Sequence, residues 1–323
     1  MKKFYSILFL FVMVISTNMR ADQYYYMSGG IKYSLNEEDS TAMVVDNWVD
    51  GDNWYTGDIV IPEFVGLWSE WIVTSIQQGA FNGSWITSVT MPNTVITIGW
   101  GVFYNCEVLN TVVLSNNITS IQDYTFCYCN SLVSVNIPEG VTYIGNMAFA
   151  HCRSLPLITL PQSTQFIADS AFVECSKLTS VALPENVISI GDGAFRACSK
   201  LTYLTIPESV ISIGDAAFAE CSRLMSITNY AAVPQTISPD EYDGVFAAVD
   251  KVQCTLYVPE TALEAYRNAV GWRDFMHIEP IRAEGVDQIT NDQLPTTTKI
   301  LRDGQILILR GDKTYTLQGQ ELK

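Results

Sequence analysis

The 323 residues carry 18 basic and 34 acidic side chains, a formal charge of −16, and 48% of them are apolar. That apolar fraction can build a sizeable core and excludes wholesale disorder, while the acidic balance excludes a nucleic-acid binder, because no basic surface is left to meet phosphates. Two histidines leave little for His-based catalysis or a His-rich metal site.

Lys2 and Lys3 precede an apolar run over 4–15 that only Ser6 interrupts, and the polar stretch 16–21 ends on Ala21. This is the pattern of a secretory signal, too short to span a bilayer. Residues 1–21 are therefore expected to be an export signal cleaved after Ala21. No later apolar run reaches spanning length, so the mature chain is expected at the cell surface or free outside, without membrane insertion. Residues 22–71 read as an N-terminal cap. Within them 31–35 and 42–45 are strand-like around the acidic turn Asn36-Glu37-Glu38-Asp39-Ser40, and 59–61 is a strand ended by Pro62.

The stretch 72–223 is a ladder of internal repeats. Cys106, Cys129, Cys152, Cys175, Cys198 and Cys221 recur every 23 residues, each three places after a Phe (Phe103, Phe126, Phe149, Phe172, Phe195, Phe218). Ile86, Leu109, Leu132, Leu155, Leu178, Leu201 and Leu224 mark the repeat starts. In the best-kept copy, LTSVALPENVISIGDGAFRACSK, Val181 and Leu183 alternate with Ser180 and Ala182, which predicts a short strand with one buried face. Pro184 lacks a backbone donor and closes it. Val187 and Ile190 form a second short extended piece before a turn at Gly191. Ala194, Phe195 and Cys198 have the three- and four-residue spacing of one helical turn, with Asp192 as its N-cap. One such repeat cannot bury enough to order itself, so the copies must stack, with strands about 4.8 Å apart. The expected fold class is an α+β repeat solenoid, right-handed, with 23-residue repeats of short strands and short helical turns.

The motif LxxVxIPxxVxxIGxxAFxxC resembles the Treponema-type leucine-rich repeat of BspA-like surface proteins. The resemblance covers 86–223 strongly and 72–281 more loosely. It departs where Ser115 replaces the Pro, Gln122 and Ala168 the Gly, and Thr164 the Val. What it implies is a leucine-rich-repeat solenoid on a bacterial surface, in a family that includes adhesins binding host matrix proteins.

Residues 224–281 read as the C-terminal cap, with one more ladder strand over 255–259 and a short helix over 261–269 with Thr261 as N-cap. Trp272, Phe275 and Ile278 would close the core there. The phrase LYVPETALEAYRNAVGWRDF is similar to the usual end of ladders in this family. Residues 282–295 read as a linker. Residues 296–323 hold three strand-like runs, 299–302, 305–310 and 313–317, with hairpin turns at Asp303-Gly304 and Gly311-Asp312. This small β tail resembles C-terminal sorting segments of secreted Bacteroidetes proteins; the alternative is an appendage docked on the cap.

Six cysteines in register invite a disulfide or metal reading, but they stand one per coil with no facing Cys column, so they read as small buried hydrophobes. Asp123, Asp169, Asp192 and Asp215 form a column with Asn146; turn capping is the expectation, a calcium ladder the alternative. No GxSxG elbow, HExxH or phosphate-binding loop is present, so neither an enzyme, a cofactor nor a metal is expected. The expected function is a non-catalytic binding protein, which the resemblance implies to be an adhesin contacting host matrix proteins. A structural surface scaffold and a glycan-binding module are the alternatives. The candidate protein-binding residues are the outward positions of the strand face, Ser134, Asn136, Thr159, Tyr203 and Thr205. The candidate glycan-binding residues are Trp68, Trp85 and Trp100, from a group of six tryptophans between Trp48 and Trp100. Burial in the cap accounts for most of that group; an exposed aromatic patch accounts for the rest.

Overall fold

The computed structural model describes residues 24–281, apart from 50–51, 54 and 68–69, together with backbone strands in the tail. The expected signal 1–21, the linker 282–295 and Trp68 lie outside the described residues. Each coil contributes its first strand to a parallel strand face. Thr56–Val60, Trp85–Thr90, Thr111–Val113 and Ser134–Asn136 pair in one sheet. Leu157–Thr159, Ser180–Ala182, Tyr203–Ile206, Ser226–Asn229, Thr255–Val258 and His277–Pro280 pair in the next. The second extended pieces, such as Ser120–Ile121, Tyr143–Ile144 and Ser189–Ile190, form their own parallel ladder. The hairpin Ile31–Asn36 and Thr41–Val44 joins this second side, with Thr41–Val44 pairing in parallel to Trp71–Ile76.

The strand face divides between Ser134–Asn136 and Leu157–Thr159 for a local reason. In neighbouring coils the second residue of the repeat donates its N–H to the preceding coil: Val133 to the Asn110 carbonyl, Thr179 to Pro156, Thr202 to Thr179. Pro156 stands in that column and has no N–H to give.

The expected α+β class is corrected to a nearly all-β solenoid. The segments around each Phe and Cys are turns. Among the described residues the only helical pieces are a 3-10 turn at Glu260–Ala262 and the helix Leu263–Asn268. No side chain caps either start, so Thr261 does not act as the N-cap. Two facts explain why AFxxC does not wind into a helix. Each repeat holds two left-handed residues four apart, for example Tyr124 and Tyr128, Ser170 and Glu174, Gly193 and Ala197, with φ between +55° and +62°, which break a right-handed helix. The Phe N–H groups also point to the next coil rather than back along their own: Phe149 donates to Ala171, Phe172 to Ala194 and Phe195 to Ala217. The three-residue spacing that looked helical belongs to a tight turn whose hydrogen bonds run between coils.

A column of rings runs through the core, flanked by the buried Leu, Ile and Val of each coil. Phe81, Phe103, Phe126, Phe149, Phe172, Phe195, Phe218 and Phe246 stack with centroids 5.0–5.7 Å apart. Tyr55 tilts over one end at 4.8 Å, and Trp272 and Phe275 meet Phe246 at the other. Ile278 is buried beside them. Each ladder thiol donates to the carbonyl of the preceding coil's Phe, at 3.0–3.3 Å from Cys106 through Cys221. Ser84 occupies the same column in the first coil and bonds the Phe81 carbonyl. A small side chain with a weak donor is what this column requires.

The Asp column also acts between coils. The Asp123 carboxylate accepts from the Asn146 N–H at 2.7 Å, Asp169 from Asp192 at 2.9 Å, and Asp192 from Asp215 at 2.8 Å. These bonds replace the expected capping of each residue's own turn. Together with the close backbone approach, which alone would set a Cβ on Gly99 2.3 Å from the Gln78 N, they also explain the motif Gly. A Cβ on Gly145, Gly191 or Gly214 would fall 2.3–2.6 Å from the preceding Asp's Oδ1. Gln122 and Ala168, the two departures, follow Trp100 and Asn146, where the preceding coil has no Asp. At the other departures, Ser115 and Thr164 donate their hydroxyls to the Val95 and Val141 carbonyls. In the tail, Thr297–Arg302, Gln305–Arg310, Lys313–Thr316 and Glu321–Leu322 pair antiparallel in sequence order.

Candidate binding faces

The strand face holds its outward side chains in columns because parallel pairing keeps the repeat in register. Thr111 aligns with Ser88 and Ser134, and Tyr203 aligns with Ser180 and Ser226. Ser134, Asn136, Thr159 and Thr205 are exposed and Tyr203 is half-buried. The five do not form one patch. Ser134 and Asn136 sit on the last strand of the first sheet, and Thr159, Tyr203 and Thr205 lie beyond the Pro156 break. Asn136 is also occupied, since its Oδ1 accepts the Leu114 N–H at 2.7 Å. The face carries little charge. At its N-terminal end Asp58 accepts from the Ser88 and Thr87 hydroxyls at 2.6 and 2.7 Å, and these bonds hold its carboxyl below the usual range.

The turn edge differs sharply between coils. Trp100 occupies the column that later holds the Asp bonds, and it is 55% exposed. It lines a cleft of about 390 Å³ with Asp46, Gln78, Asn82, Tyr104 and Tyr124. The rings continue along the edge. Tyr104 stands edge-on to Tyr124 at 6.4 Å and to Tyr128 at 5.9 Å, and Tyr128 stacks on His151 at 4.3 Å. The lane ends in ions: Glu174 Oε2 lies 3.0 Å from His151 Nδ1 and accepts from Arg153 Nη2 at 2.6 Å. The Arg153 bond is the main reason the Glu174 carboxyl sits below its usual value. Trp85 is 66% exposed but belongs to the strand face, paired opposite Thr56, and does not line the cleft. The structure thus separates Trp85 from Trp100 and gives Trp100 a set of tyrosines that the sequence reading passed over. The signal was available: aligned as columns, Tyr124 and Tyr128 stand where other copies carry Gly101 or Gly193, and Ala197 or Glu220.

All eight cysteines are free and buried. Burial pushes the Cys106, Cys175 and Cys221 thiols up to about 12. Among the described residues no group of three or more His, Cys, Asp or Glu side chains is placed to hold a metal. No described helix is long and apolar enough to cross a membrane.

A model of the BspA type leucine rich repeat region, present in six copies, matches residues 70–178 and 144–238. Among solved structures, the chain is similar to the T. pallidum leucine rich repeat protein at 29% identity, with a TM-score of 0.54 over 60% of this chain and 87% of that one. A leucine rich cell surface protein of Faecalibacterium prausnitzii is 26% identical, with a TM-score of 0.57 over 79% of this chain and 72% of that one. A leucine-rich repeat protein of Bacteroides ovatus, 21% identical with a TM-score of 0.55 over 80% and 77% of the two chains, shares the fold. No curated protein matches significantly. With more than half of its length under that family model and the repeat geometry above, the chain belongs to the BspA type leucine rich repeat family.

Proposed function

We propose that the chain is an exported, non-catalytic binding protein whose strand face contacts an extracellular protein, in the manner of an adhesin for host matrix proteins. The observation that carries this reading is the sheet from Leu157–Thr159 to His277–Pro280, six parallel strands with outward columns kept in register. A regular, largely uncharged surface built by stacking suits a broad protein contact. The sequence of 1–21 supports export, and the similarity to a leucine rich cell surface protein of F. prausnitzii supports a similar location. The 28-residue tail, 296–323, is proposed to act as the sorting segment.

The test is binding of the mature chain to immobilised fibronectin, laminin and collagen. Saturable binding, weakened at least tenfold by Thr159→Arg or Thr205→Arg at unchanged melting temperature, is the expected result. Asn136 is a poor probe, because its substitution removes a bond to the Leu114 N–H. Binding that is absent, or indifferent to both substitutions, would leave a structural surface scaffold as the better reading.

A further inference from the structure

The rings on the turn edge are surplus to the fold. The column of Trp100 holds Asp or Asn in the next five copies, that of Tyr124 holds Gly, Met, Ser or Ala, and that of Tyr128 holds Asn, His, Glu or Ala. Those smaller residues build the same turns, with the same left-handed backbone. Trp100 also gives up the inter-coil bond that Asp123, Asp169 and Asp192 make. A large side chain that replaces a structural bond and remains 55% exposed, beside a Tyr124 that is 38% exposed, points away from packing and toward contact with a ligand.

We propose that this lane is a second binding site, separate from the strand face, and that it takes a neutral oligosaccharide. A pyranose ring offers an apolar C–H face that lies against an aromatic ring, and hydroxyls around its rim that need polar partners. The cleft supplies both, with Trp100, Tyr104 and Tyr124 as ring surfaces and Asp46 and Gln78 in the wall as hydrogen-bonding groups. Its volume of about 390 Å³ lies within the usual span of small-ligand clefts. The ring contacts from Tyr104 through Tyr128 to His151 extend the lane over the next two coils. Successive coils lie about 4.8 Å apart, close to the length of one sugar unit in an extended chain, so one unit can sit on each coil. Neutrality follows from charge. The cleft is lined by a carboxylate and by no Lys or Arg, and the chain as a whole carries −16, so sulfated or uronic-acid chains are repelled.

The test is calorimetric titration of the mature chain with cellohexaose, mannohexaose and xylohexaose, with a hexagalacturonate and a decaproline peptide as controls. Saturable binding of at least one neutral hexasaccharide is expected, with no heat from the uronate. Trp100→Asn and Tyr124→Ser install residue types that other copies already carry at those places, and Asn146 already precedes a Cβ-bearing residue, Ala168, as Trp100 precedes Gln122. Each should weaken binding tenfold or more while the melting temperature stays within a few degrees. If Trp100→Asn does not fold, Tyr124→Ser carries the test alone. Thr205→Arg on the strand face should leave sugar affinity unchanged, so this site and the protein-binding face fail separately. The proposal is overturned if none of the three neutral hexasaccharides saturates, or if saturation is indifferent to the lane substitutions. It is equally overturned if decaproline occupies the lane instead, as aromatic grooves that read extended proline helices would allow.

Discussion

The coils that begin at Ile86 and Leu109 and those that begin at Leu155 and Leu178 share one backbone and differ in what their turn edges carry. In the later coils the edge is spare: Asp169 and Asp192 tie one coil to the next, and Gly191, Gly193 and Ala197 fill the places between. In the earlier coils Trp100, Tyr104, Tyr124 and Tyr128 stand on the same scaffold. The later coils show what the fold requires, namely the Phe ring, the small thiol, the Gly and the Asp. What the earlier coils add beyond that set is available for binding. A repeat protein thus supplies its own control, because residues at equivalent positions have the same backbone and nearly the same neighbours.

The largest expected effect concerns the thiol column, which both regions share. The folded-state pKa of Cys175 is pushed by burial from 9.0 to about 12. For a group raised in the folded state, the stabilisation is fully present below the unfolded value and fades as pH rises through the folded one. Each unit of difference is worth about 1.4 kcal/mol. Burial raises the other five ladder thiols in the same direction, so the ladder should be stable to about pH 9 and lose stability cooperatively as pH rises toward 12. Circular dichroism against pH checks this; a ladder intact at pH 12 would show that thiol ionisation does not govern its stability. Cys127, on the aromatic turn edge and raised only to about 11, should be the first thiol to react with iodoacetamide as pH rises.

The ring column comes next. Phe195 is fully buried between Phe172 and Phe218, and Phe195→Ala should cost about 3–5 kcal/mol through lost burial and a cavity. Trp100→Asn should change stability by less than about 0.5 kcal/mol, since the ring it removes is more exposed than buried and Asn146 already precedes a Cβ-bearing residue, Ala168. Reversible urea denaturation measures both. Comparable losses at the two positions would erase the distinction between scaffold and surplus.

The motif Gly gives a smaller effect. Gly191→Ala places a Cβ 2.4 Å from Asp169 Oδ1 and 2.6 Å from its backbone N, and overpacking of this kind costs about 1–3 kcal/mol. Adding Asp169→Ala should recover part of that loss, because the carboxylate's share of the clash disappears while the backbone's share stays. Strict additivity of the two losses would show that the Gly and the preceding Asp are independent.

Much of the scaffold was legible in the sequence, because a 23-residue period identifies which columns are buried without any structure. Phe195, Cys198 and Leu201 fall in the core for that reason. The helical reading of AFxxC failed because a three-residue spacing is common to a helix and to a tight turn. Spacing does not say whether a Phe N–H bonds within its coil or to the next. The left-handed residues were only partly advertised: Gly101 and Gly193 stand in one of the two columns, but Tyr124, Met147 and Ser170 fill it in other copies. The Asp column was visible, but its partner lay one coil away. Of the candidate sites, Trp100 was legible as a departure from its column, whereas Tyr104, Tyr124 and Tyr128 needed their own columns compared.

The smallest effect tests the other difference between early and late coils, the division of the strand face. Thr179 and Thr202 follow Pro156 in its column, and their N–H groups bond the preceding coil. Pro156→Thr therefore adds a donor aimed by register at the Val133 carbonyl. One new ladder bond contributes about 0.5–1.5 kcal/mol, and the loss of Pro's restraint on the unfolded chain offsets it by about 0.4–1 kcal/mol. Stability should thus move by less than about 1 kcal/mol. Hydrogen exchange reads the change more sharply than denaturation does. The amide at 156 should exchange slowly, and those of Val133 and Leu157 should gain protection as the two sheets become one. Fast exchange at 156 in a folded variant would mean that the split is held by something other than the missing N–H. The exposed Leu157 and the half-buried Val135 beside it would then be the next groups to examine, because a local loosening of the coil would leave both of them where they now stand.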